Sequence, residues 1–421
     1  MSAHGCTSTH AAYGPPGTYG PFTPLGSVGV EVTARETPSD ARTLRRVGLG
    51  AGVVCLVGVA AATAAARALG HPSGSPLTAP GDWEQAWWGG IVAAFAGYAV
   101  AVACFARVSG NARSALVLAV LIQATPLAAP MLLSGDIYAY QKYGASSDPY
   151  GAFGDDSDVY GPVWTGVMRV AHVLGGSQYL FRVLALCSVL ATVLIVVRLT
   201  VRKALAVAFL GWNPLVAIHF SGAGKPDAFM MVFAVGAIAF ARAGKADVAS
   251  ALWIVSVFVK WVTAPLYVLW AIDSHRRSRA IGLVGAVGAT VAMLAFAYAQ
   301  YGWTWLHAFY LLSLQSRQRS SFGMFSWLED LGFGRHAAIA IGDMAWLAAF
   351  AVLAWQAWRR QLHLGLAAAV LLLFSPRFGA SYLLWAIALA ATDDDDRWGK
   401  ALVIAMTGVL LSDAFTSALN A

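Results

Sequence analysis

Charged residues are scarce in this chain. Asp, Glu, Lys and Arg make up only 12% of its 421 residues, whereas 58% of the residues are hydrophobic. A soluble domain would carry about 25% charged residues, so the composition argues against a water-soluble globular protein. Long apolar runs recur from residue 47 to the end of the chain. Such runs are typical of a polytopic membrane protein with an all-α fold.

Two other features are missing. The four cysteines are spread over the tail and three apolar runs, and no spacing among them indicates a disulfide framework or a metal site. The chain also has no G-x-G-x-x-G or Walker loop for binding a nucleotide. The net charge of +7 comes from short basic clusters between apolar segments. Such clusters orient membrane helices and do not indicate nucleic-acid binding.

The sequence divides into a polar tail and one membrane domain. Residues 1–45 are rich in Gly, Pro and Tyr without an apolar core, which predicts a disordered cytoplasmic tail followed by a transmembrane domain over 46–421. The apolar segments of that domain are 47–69, 87–107, 114–133, 179–198, 204–221, 227–243, 247–259, 262–273, 280–299, 337–357, 362–375, 380–392 and 399–417.

The basic residues predict the topology of these segments. Two adjacent pairs are short and interrupted, one at Lys260–Pro265 and the other at Ser375–Gly379. If each pair counts as two helices, most Lys and Arg residues of the short loops lie on the cytoplasmic side. We therefore expect about 13 transmembrane helices with large outer loops at 134–177 and 300–336. The breaks and both large loops then lie on the outer face.

The first large outer loop holds the strongest candidates for chemistry. Asp136 lies at the boundary between lipid and water, where partial desolvation makes a carboxylate a better general base; the alternative is an Asp that ends a helix and faces water. Carboxylates and aromatic faces bind sugars, although aromatic residues also form belts at membrane interfaces. The candidates for binding sugar or acceptor in this loop are Tyr138, Tyr140, Asp148, Tyr150, Tyr160 and Trp164.

Other charged residues predict an anion site and an acidic surface. Lys260 and Arg377 each interrupt apolar helices beside a proline, where a cation suits a phosphate or reaches the lipid headgroups. Arg317 and Arg319 in the second outer loop are further candidates for binding phosphate. Lys225 and Asp227 form an outer turn and are further candidates for binding sugar or acceptor; the alternative for Asp227 is a cap on the next helix. The acidic run 155–158 predicts a solvated surface.

These motifs, in this order, resemble a known family. Asp-x-Tyr-x-Tyr, Asp-Pro-Tyr and Tyr-Gly-Pro-Val-Trp in the first outer loop, followed by Asn213-Pro214 and the two breaks, are similar to actinobacterial polyprenol-phosphate-mannose-dependent α-mannosyltransferases of the GT-C class. The family often shows a His-Asn-Asp triplet where this chain has Lys225-Pro226-Asp227. Only the Asp is kept at that position.

The resemblance implies a GT-C-like bundle at the plasma membrane with its active site on the outer face. It implies inverting transfer of mannose from a polyprenyl phosphate to a cell-envelope glycan or glycolipid, with Asp136 as general base and Lys260, Arg377 and Arg317 or Arg319 on the phosphate. It implies no cofactor, although the acidic loop could hold a divalent metal. The alternatives are transfer of arabinose or glucose, transfer of a whole oligosaccharide, and a transporter or flippase of lipid-linked sugars.

Overall fold

The computed structural model describes residues 38–68, 82–129, 133, 135–277, 282–316, 323–375 and 378–420. Helices are the only regular secondary structure in these ranges. Three predicted phosphate-binding residues lie outside the described residues, namely Arg317, Arg319 and Arg377.

In the first half of the chain, the described residues form nine α-helices. They are α1 (Pro38–Ala68), α2 (Asp82–Arg107), α3 (Ala112–Ala124), α4 (Asp136–Ala145), α5 (Pro162–Val173), α6 (Gln178–Leu199), α7 (Lys203–Gly211), α8 (Pro214–Val216) and α9 (Asp227–Arg242). Short 3₁₀ turns cover Thr125–Ala128 and Gly154–Asp156, and a π-helical turn covers Ala217–Ser221.

The described part of the second half contains nine more α-helices. They are α10 (Ala246–Val259), α11 (Ala264–Arg276), α12 (Leu283–Tyr301), α13 (His307–Ser316), α14 (Met324–Asp330), α15 (Arg335–Trp358), α16 (Leu364–Leu373), α17 (Leu383–Ala391) and α18 (Arg397–Asn420). Its 3₁₀ turns cover Trp261–Thr263, Thr304–Leu306 and Ala380–Tyr382.

Within the described ranges, five helices are long and apolar enough to cross a membrane: α1, α2, α6, α12 and α15. A sixth span arises if α7 and Pro214–Ser221, which are bent by 46° relative to each other, count together. The other apolar helices are shorter; α10, for example, has 14 residues and is about 21 Å long, against a hydrocarbon core of about 30 Å. The helical membrane class is therefore supported, whereas the count of 13 stays a prediction.

The boundaries differ from the expected ones in three places. Helix α1 begins at Pro38 and so extends into the stretch that the sequence predicts to be a disordered tail. The expected loop 134–177 contains α4 and α5, and the expected loop 300–336 contains α13 and α14. Both large loops therefore contain short helices that can position side chains more firmly than extended chain would.

The bundle has a buried centre and an apolar, exposed periphery. Every residue of α17 is buried, as is every residue of α7 after Lys203, so these two helices lie at the centre. By contrast, only 6% of the apolar window of α12 and 17% of that of α15 are buried inside the protein. Helices that are apolar and exposed on most sides face lipid, which places α12 and α15 at the edge.

Helices α1 and α2 pack with their backbones in close approach. A Cβ atom added to Gly90 would lie 2.6 Å from the Ala62 nitrogen and 2.8 Å from the Gly58 oxygen. A Cβ atom at Gly58 would lie equally close to the backbone of α2. Small residues commonly permit such contacts between membrane helices, so these two glycines set the spacing of the pair.

We expect Gly90→Val to separate α1 from α2 and to cost about 1–3 kcal/mol of stability, as overpacking does elsewhere. The measurement is the apparent melting temperature of the purified protein in detergent. Gly89→Val is the matched control, because a Cβ atom at Gly89 meets nothing within 4 Å. Equal melting temperatures for the two variants would contradict this account of the helix contact.

Candidate active site

The break at Lys260 is tied to the aromatic loop motif. Helix α10 ends at Val259, and Lys260 adopts an extended backbone with φ −154° and ψ 121°. The Val259 carbonyl, which continues no helix, accepts a hydrogen bond from the Gly161 amide at 3.1 Å. A Cβ atom at Gly161 would lie 2.0 Å from the Phe258 oxygen, so only glycine allows this contact. The Tyr-Gly-Pro-Val-Trp motif is therefore anchored on the helix break.

Lys260 forms a buried ion pair with Asp227. The Lys260 Nζ lies 2.8 Å from Asp227 Oδ1, and the carboxylate side chain is only 1% exposed. Trp385 Nε1 donates to the same oxygen at 2.7 Å. Asp227 begins α9, but instead of capping that helix its side chain faces the break. The alternative that Asp227 serves as a helix cap is therefore wrong.

Aromatic rings surround the Lys260 ammonium group. Its Nζ lies 4.6 Å from the centre of the Tyr382 ring, 5.5 Å from that of Trp385 and 6.0 Å from that of Tyr160. Cations at such distances are attracted by the faces of aromatic rings. The ammonium group is thus stabilised by one carboxylate and three rings away from bulk water.

A second, more open pair lies in the same cluster. The Lys225 Nζ is 3.8 Å from Asp136 Oδ2, and the Asp136 side chain is 44% exposed. Lys225 also donates to Ser381 Oγ at 3.4 Å. Four separate segments therefore contribute to one cluster: the start of α4, the turn before α9, the break at Lys260 and the turn before α17. Of the predicted residues, this cluster holds Asp136, Lys225, Asp227 and Lys260.

Three predicted aromatic residues form a wall beside these charges. The hydroxyls of Tyr140 and Tyr160 are 3.3 Å apart, and the Tyr140 ring packs edge-on against both Tyr160 and Trp164 with centroids 5.5 Å apart. Tyr140 and Trp164 are almost completely buried. Since Tyr160 also reaches Lys260, this wall is continuous with the ion-pair cluster.

The other predicted residues of the loop do not join this cluster; they are buried elsewhere, form a local turn or are exposed. Tyr150 is fully buried, and its hydroxyl contacts Thr165 Oγ1 at 2.7 Å and the Tyr160 carbonyl at 3.1 Å. Asp148 Oδ1 accepts from the Gly151 amide in a local turn. Tyr138 is 49% exposed on α4. The contacts of Tyr150 and Asp148 hold the loop in shape, and a role of these residues in sugar binding stays a prediction.

The acidic run is not solvated throughout, because Asp158 is completely buried. The Thr165 hydroxyl donates to Asp158 Oδ2 at 2.7 Å and the Tyr160 amide donates to Oδ1 at 2.9 Å. Burial raises the pKa of Asp158 to about 7. The prediction of a solvated surface is wrong for this residue, since its side chain turns inward and accepts a hydrogen bond from the backbone amide of Tyr160 in the Tyr-Gly-Pro-Val-Trp motif.

Several residues of the cluster were not among the candidates from the sequence. Trp385, Tyr382 and Ser381 follow the second helix break, and this position, aromatic residues directly after a broken helix, is the signal that could have indicated them. Arg182 was also missed, although an arginine early in an apolar run is unusual.

Arg182 joins the segments that carry the charged residues. Its guanidinium is fully buried and donates to the carbonyls of Pro126 (2.5 Å), Ala129 (3.0 Å) and Ser221 (3.1 Å). Pro126 and Ala129 lie shortly before Asp136, and Ser221 lies shortly before Lys225. A single side chain therefore fixes the relative positions of the two chain segments that supply the open ion pair.

An apolar groove runs up to the cluster. It encloses about 270 Å³ between α11, α13, α15 and α16. Tyr382 and Trp385, which surround Lys260, also line this groove. The groove thus ends at two of the rings that contact the Lys260 ammonium group, so an apolar space lies next to a buried cation. As for metals, no group of three or more His, Cys, Asp or Glu within the described ranges is arranged to hold one.

This arrangement is that of an integral membrane enzyme, with carboxylates, amines and aromatic faces at the end of an apolar groove. Residues 151–272 match the family model described as "Alpha-(1->6)-mannopyranosyltransferase, N-terminal domain". The match confirms the resemblance seen in the motifs and supports glycosyltransferase activity of the mannosyltransferase type. It covers less than a third of the chain but includes Tyr160, Trp164, Asp227 and Lys260. No curated protein and no solved structure matches the chain significantly.

We expect Lys260→Met to destabilise the protein by about 3–5 kcal/mol, because it leaves the Asp227 carboxylate buried without its cation. The double variant Lys260→Met with Asp227→Asn should regain most of this stability, since it buries no charge. Melting temperatures in detergent give the comparison. A double variant as unstable as the single one would mean that the ion pair is not the cause.

The raised pKa of Asp158 predicts a dependence of stability on pH. In the unfolded chain the carboxyl ionises at its ordinary low pKa, whereas in the folded protein it holds its proton up to about pH 7. Its contribution to stability is therefore fully present at low pH and is lost as the pH rises through about 7.

Asp158→Asn mimics the protonated side chain, so we expect this variant to gain stability over the wild type at pH 8 and to gain little at pH 5. Melting temperatures across this range test the sign, and Asp156→Asn on the exposed part of the same loop serves as control. A wild type whose melting temperature increasingly exceeds that of Asp158→Asn as the pH rises would refute this prediction.

Proposed function

We propose that the protein transfers mannose from a polyprenyl-phosphate-mannose donor to a cell-envelope glycan or glycolipid acceptor, with inversion at the sugar. The observation that carries this proposal is the meeting of Asp136, Lys225, Asp227 and Lys260 at the end of an apolar groove. Such a donor consists of a hydrocarbon chain, which suits an apolar groove, and an anionic sugar phosphate, which suits the charged cluster.

The groove beside Trp385 suits the prenyl chain of the donor. Its lining is dominated by Val, Pro, Leu, Ala and Trp side chains, which bury hydrocarbon favourably. The phosphate would then lie near the ammonium groups of Lys260 and Lys225, which balance the charge that develops on the leaving group. The buried Asp227 keeps Lys260 in position before the donor arrives.

Asp136 is the residue that we assign as general base. The acceptor hydroxyl attacks the anomeric carbon of mannose, the bond to the phosphate oxygen breaks, and Asp136 takes the hydroxyl proton. The polyprenyl phosphate leaves as an anion and so requires no general acid. Asp136 is the more exposed of the two paired carboxylates, and the incoming acceptor can therefore reach it.

The aromatic wall is the proposed sugar platform. Tyr160 presents a ring near Lys260 and a hydroxyl near Tyr140, and such rings stack on the C–H faces of sugars. We further propose that this site faces the outer side of the plasma membrane, because the positive-inside rule applied to the basic residues of the sequence predicts that side.

The first test compares wild type with Asp136→Asn in membranes that contain labelled polyprenyl-phosphate-mannose and short manno-oligosaccharide acceptors. Loss of a general base should lower the rate by about 10²–10⁴-fold, while expression and insertion stay normal. The readout is labelled product separated from donor.

Asp156→Asn is the matched control, since it removes a carboxylate from the exposed end of the same loop and should retain transfer. Unchanged transfer by Asp136→Asn would reject the assignment of the base. Movement of intact donor across the membrane without product, in the wild type as well, would instead favour a flippase.

A further inference from the structure

A second apolar groove lies on the other side of the aromatic wall. It encloses about 650 Å³ between α5, α6 and α12. Helix α12 forms one side of the groove and is scarcely buried inside the protein. The groove therefore opens towards the lipid chains of the membrane. Its apolar lining includes Val163, Val167, Val170, Leu180, Leu184 and Met293.

One arginine stands at the polar end of this groove. Arg169 contacts the Gln300 side-chain oxygen at 3.3 Å, the Gln300 carbonyl at 3.5 Å and the Ser147 carbonyl at 3.3 Å. These distances exceed the usual 2.9–3.0 Å for N–H···O hydrogen bonds, and all three acceptors are neutral. Among the described residues, none of the ion pairs involves Arg169.

The guanidinium therefore has donors to spare. It carries five N–H groups in a planar fork that matches the oxygens of a phosphate. A positive charge at the boundary of a hydrocarbon groove is complementary to a lipid that combines an acyl chain with an anionic headgroup. A neutral lipid would fill the groove equally well but would gain less from Arg169.

We propose that this groove binds one anionic phospholipid of the bilayer, with an acyl chain along α12 and the phosphate on Arg169. This site is separate from the groove beside Trp385, and it does not depend on which sugar the protein transfers.

The bound lipid would support the aromatic wall of the active site. Phe181 and Phe229 line the groove, and each packs against Trp164 with ring centroids 6.0 Å apart. On its other side Trp164 packs against Tyr140. Phe181 also packs directly against Tyr140, with ring centroids 5.4 Å apart. The acyl chain therefore lies one ring away from the tyrosine pair, and its presence limits the motion of the wall.

The test is native mass spectrometry of the full-length protein in detergent, titrated separately with dioleoylphosphatidylglycerol and dioleoylphosphatidylcholine. We expect tighter binding of phosphatidylglycerol to the wild type. Arg169→Gln should weaken that binding about tenfold, as expected for the loss of a charge-assisted hydrogen bond. Val170→Trp, which places an indole in the groove, should weaken binding of both lipids.

Arg113→Gln is the matched control, because it removes one exposed arginine from the start of α3, away from the groove. It should bind phosphatidylglycerol like the wild type. Size-exclusion profiles and melting temperatures identify variants that fail to fold. If Arg169→Gln fails to fold, Arg169→Lys replaces it. The lysine variant keeps the positive charge but lacks the planar fork of the guanidinium group.

Equal affinities of the wild type for the two lipids, or an Arg169→Gln variant that binds phosphatidylglycerol as tightly as the wild type, would overturn the proposal. Equal losses in Arg169→Gln and Arg113→Gln would also overturn it, since they would show an effect of net charge alone. Because the readout is binding, these outcomes are independent of whether the protein transfers mannose.

Discussion

The ion pair between Lys260 and Asp227 is the constraint on which the rest of the site depends. A charge buried in the protein without a partner would be costly, so these two oppositely charged side chains are stable in the interior only when they are paired. Asp227 begins α9, Lys260 interrupts the chain between α10 and α11, and Trp385 on α17 donates to the same carboxylate oxygen. Three distant parts of the chain are thereby brought to one point, and the backbone of the break then holds Gly161 and the aromatic loop against it.

The polar centre lies between two apolar grooves that it keeps apart. On one side Tyr382 and Trp385 separate the Lys260 ammonium group from the groove along α11 and α16. On the other side Trp164 and its neighbours separate Tyr140 from the groove along α12. Aromatic rings suit both boundaries, because their faces contact hydrocarbon while their edges and hydroxyls reach polar groups. The proposed transfer from a lipid-linked sugar to a hydroxyl would use this layout, in which a charged cluster borders on space for a hydrocarbon chain.

Much of the candidate site could be predicted from the sequence, because its residues interrupt apolar runs or belong to the polar loop that follows one. Asp136, Lys225, Asp227, Lys260, Tyr160 and Trp164 all stand at ends or breaks of helices, and the structure brings them together. Arg182 and Asp158 could not be found in this way. Their importance lies in backbone groups that they satisfy, namely the carbonyls around Arg182 and the amide of Tyr160 beside Asp158. No local sequence pattern indicates which backbone carbonyl or amide will need a hydrogen-bond partner after folding.

The helical membrane class, the positions of the helix breaks and the resemblance to α-mannosyltransferases can all be read from the sequence alone. They follow from apolar composition, from lysine and proline within apolar runs and from the order of short motifs, all of which are local properties. The pairing of Asp227 with Lys260 in place of a cap on α9, the burial of Tyr150 and Asp158, and the place of Trp385 in the cluster become visible only in the folded protein. The reason is physical: pairing and burial depend on which helices become neighbours, and that is decided by packing among segments that lie 33 residues apart for Asp227 and Lys260 and 158 residues apart for Asp227 and Trp385.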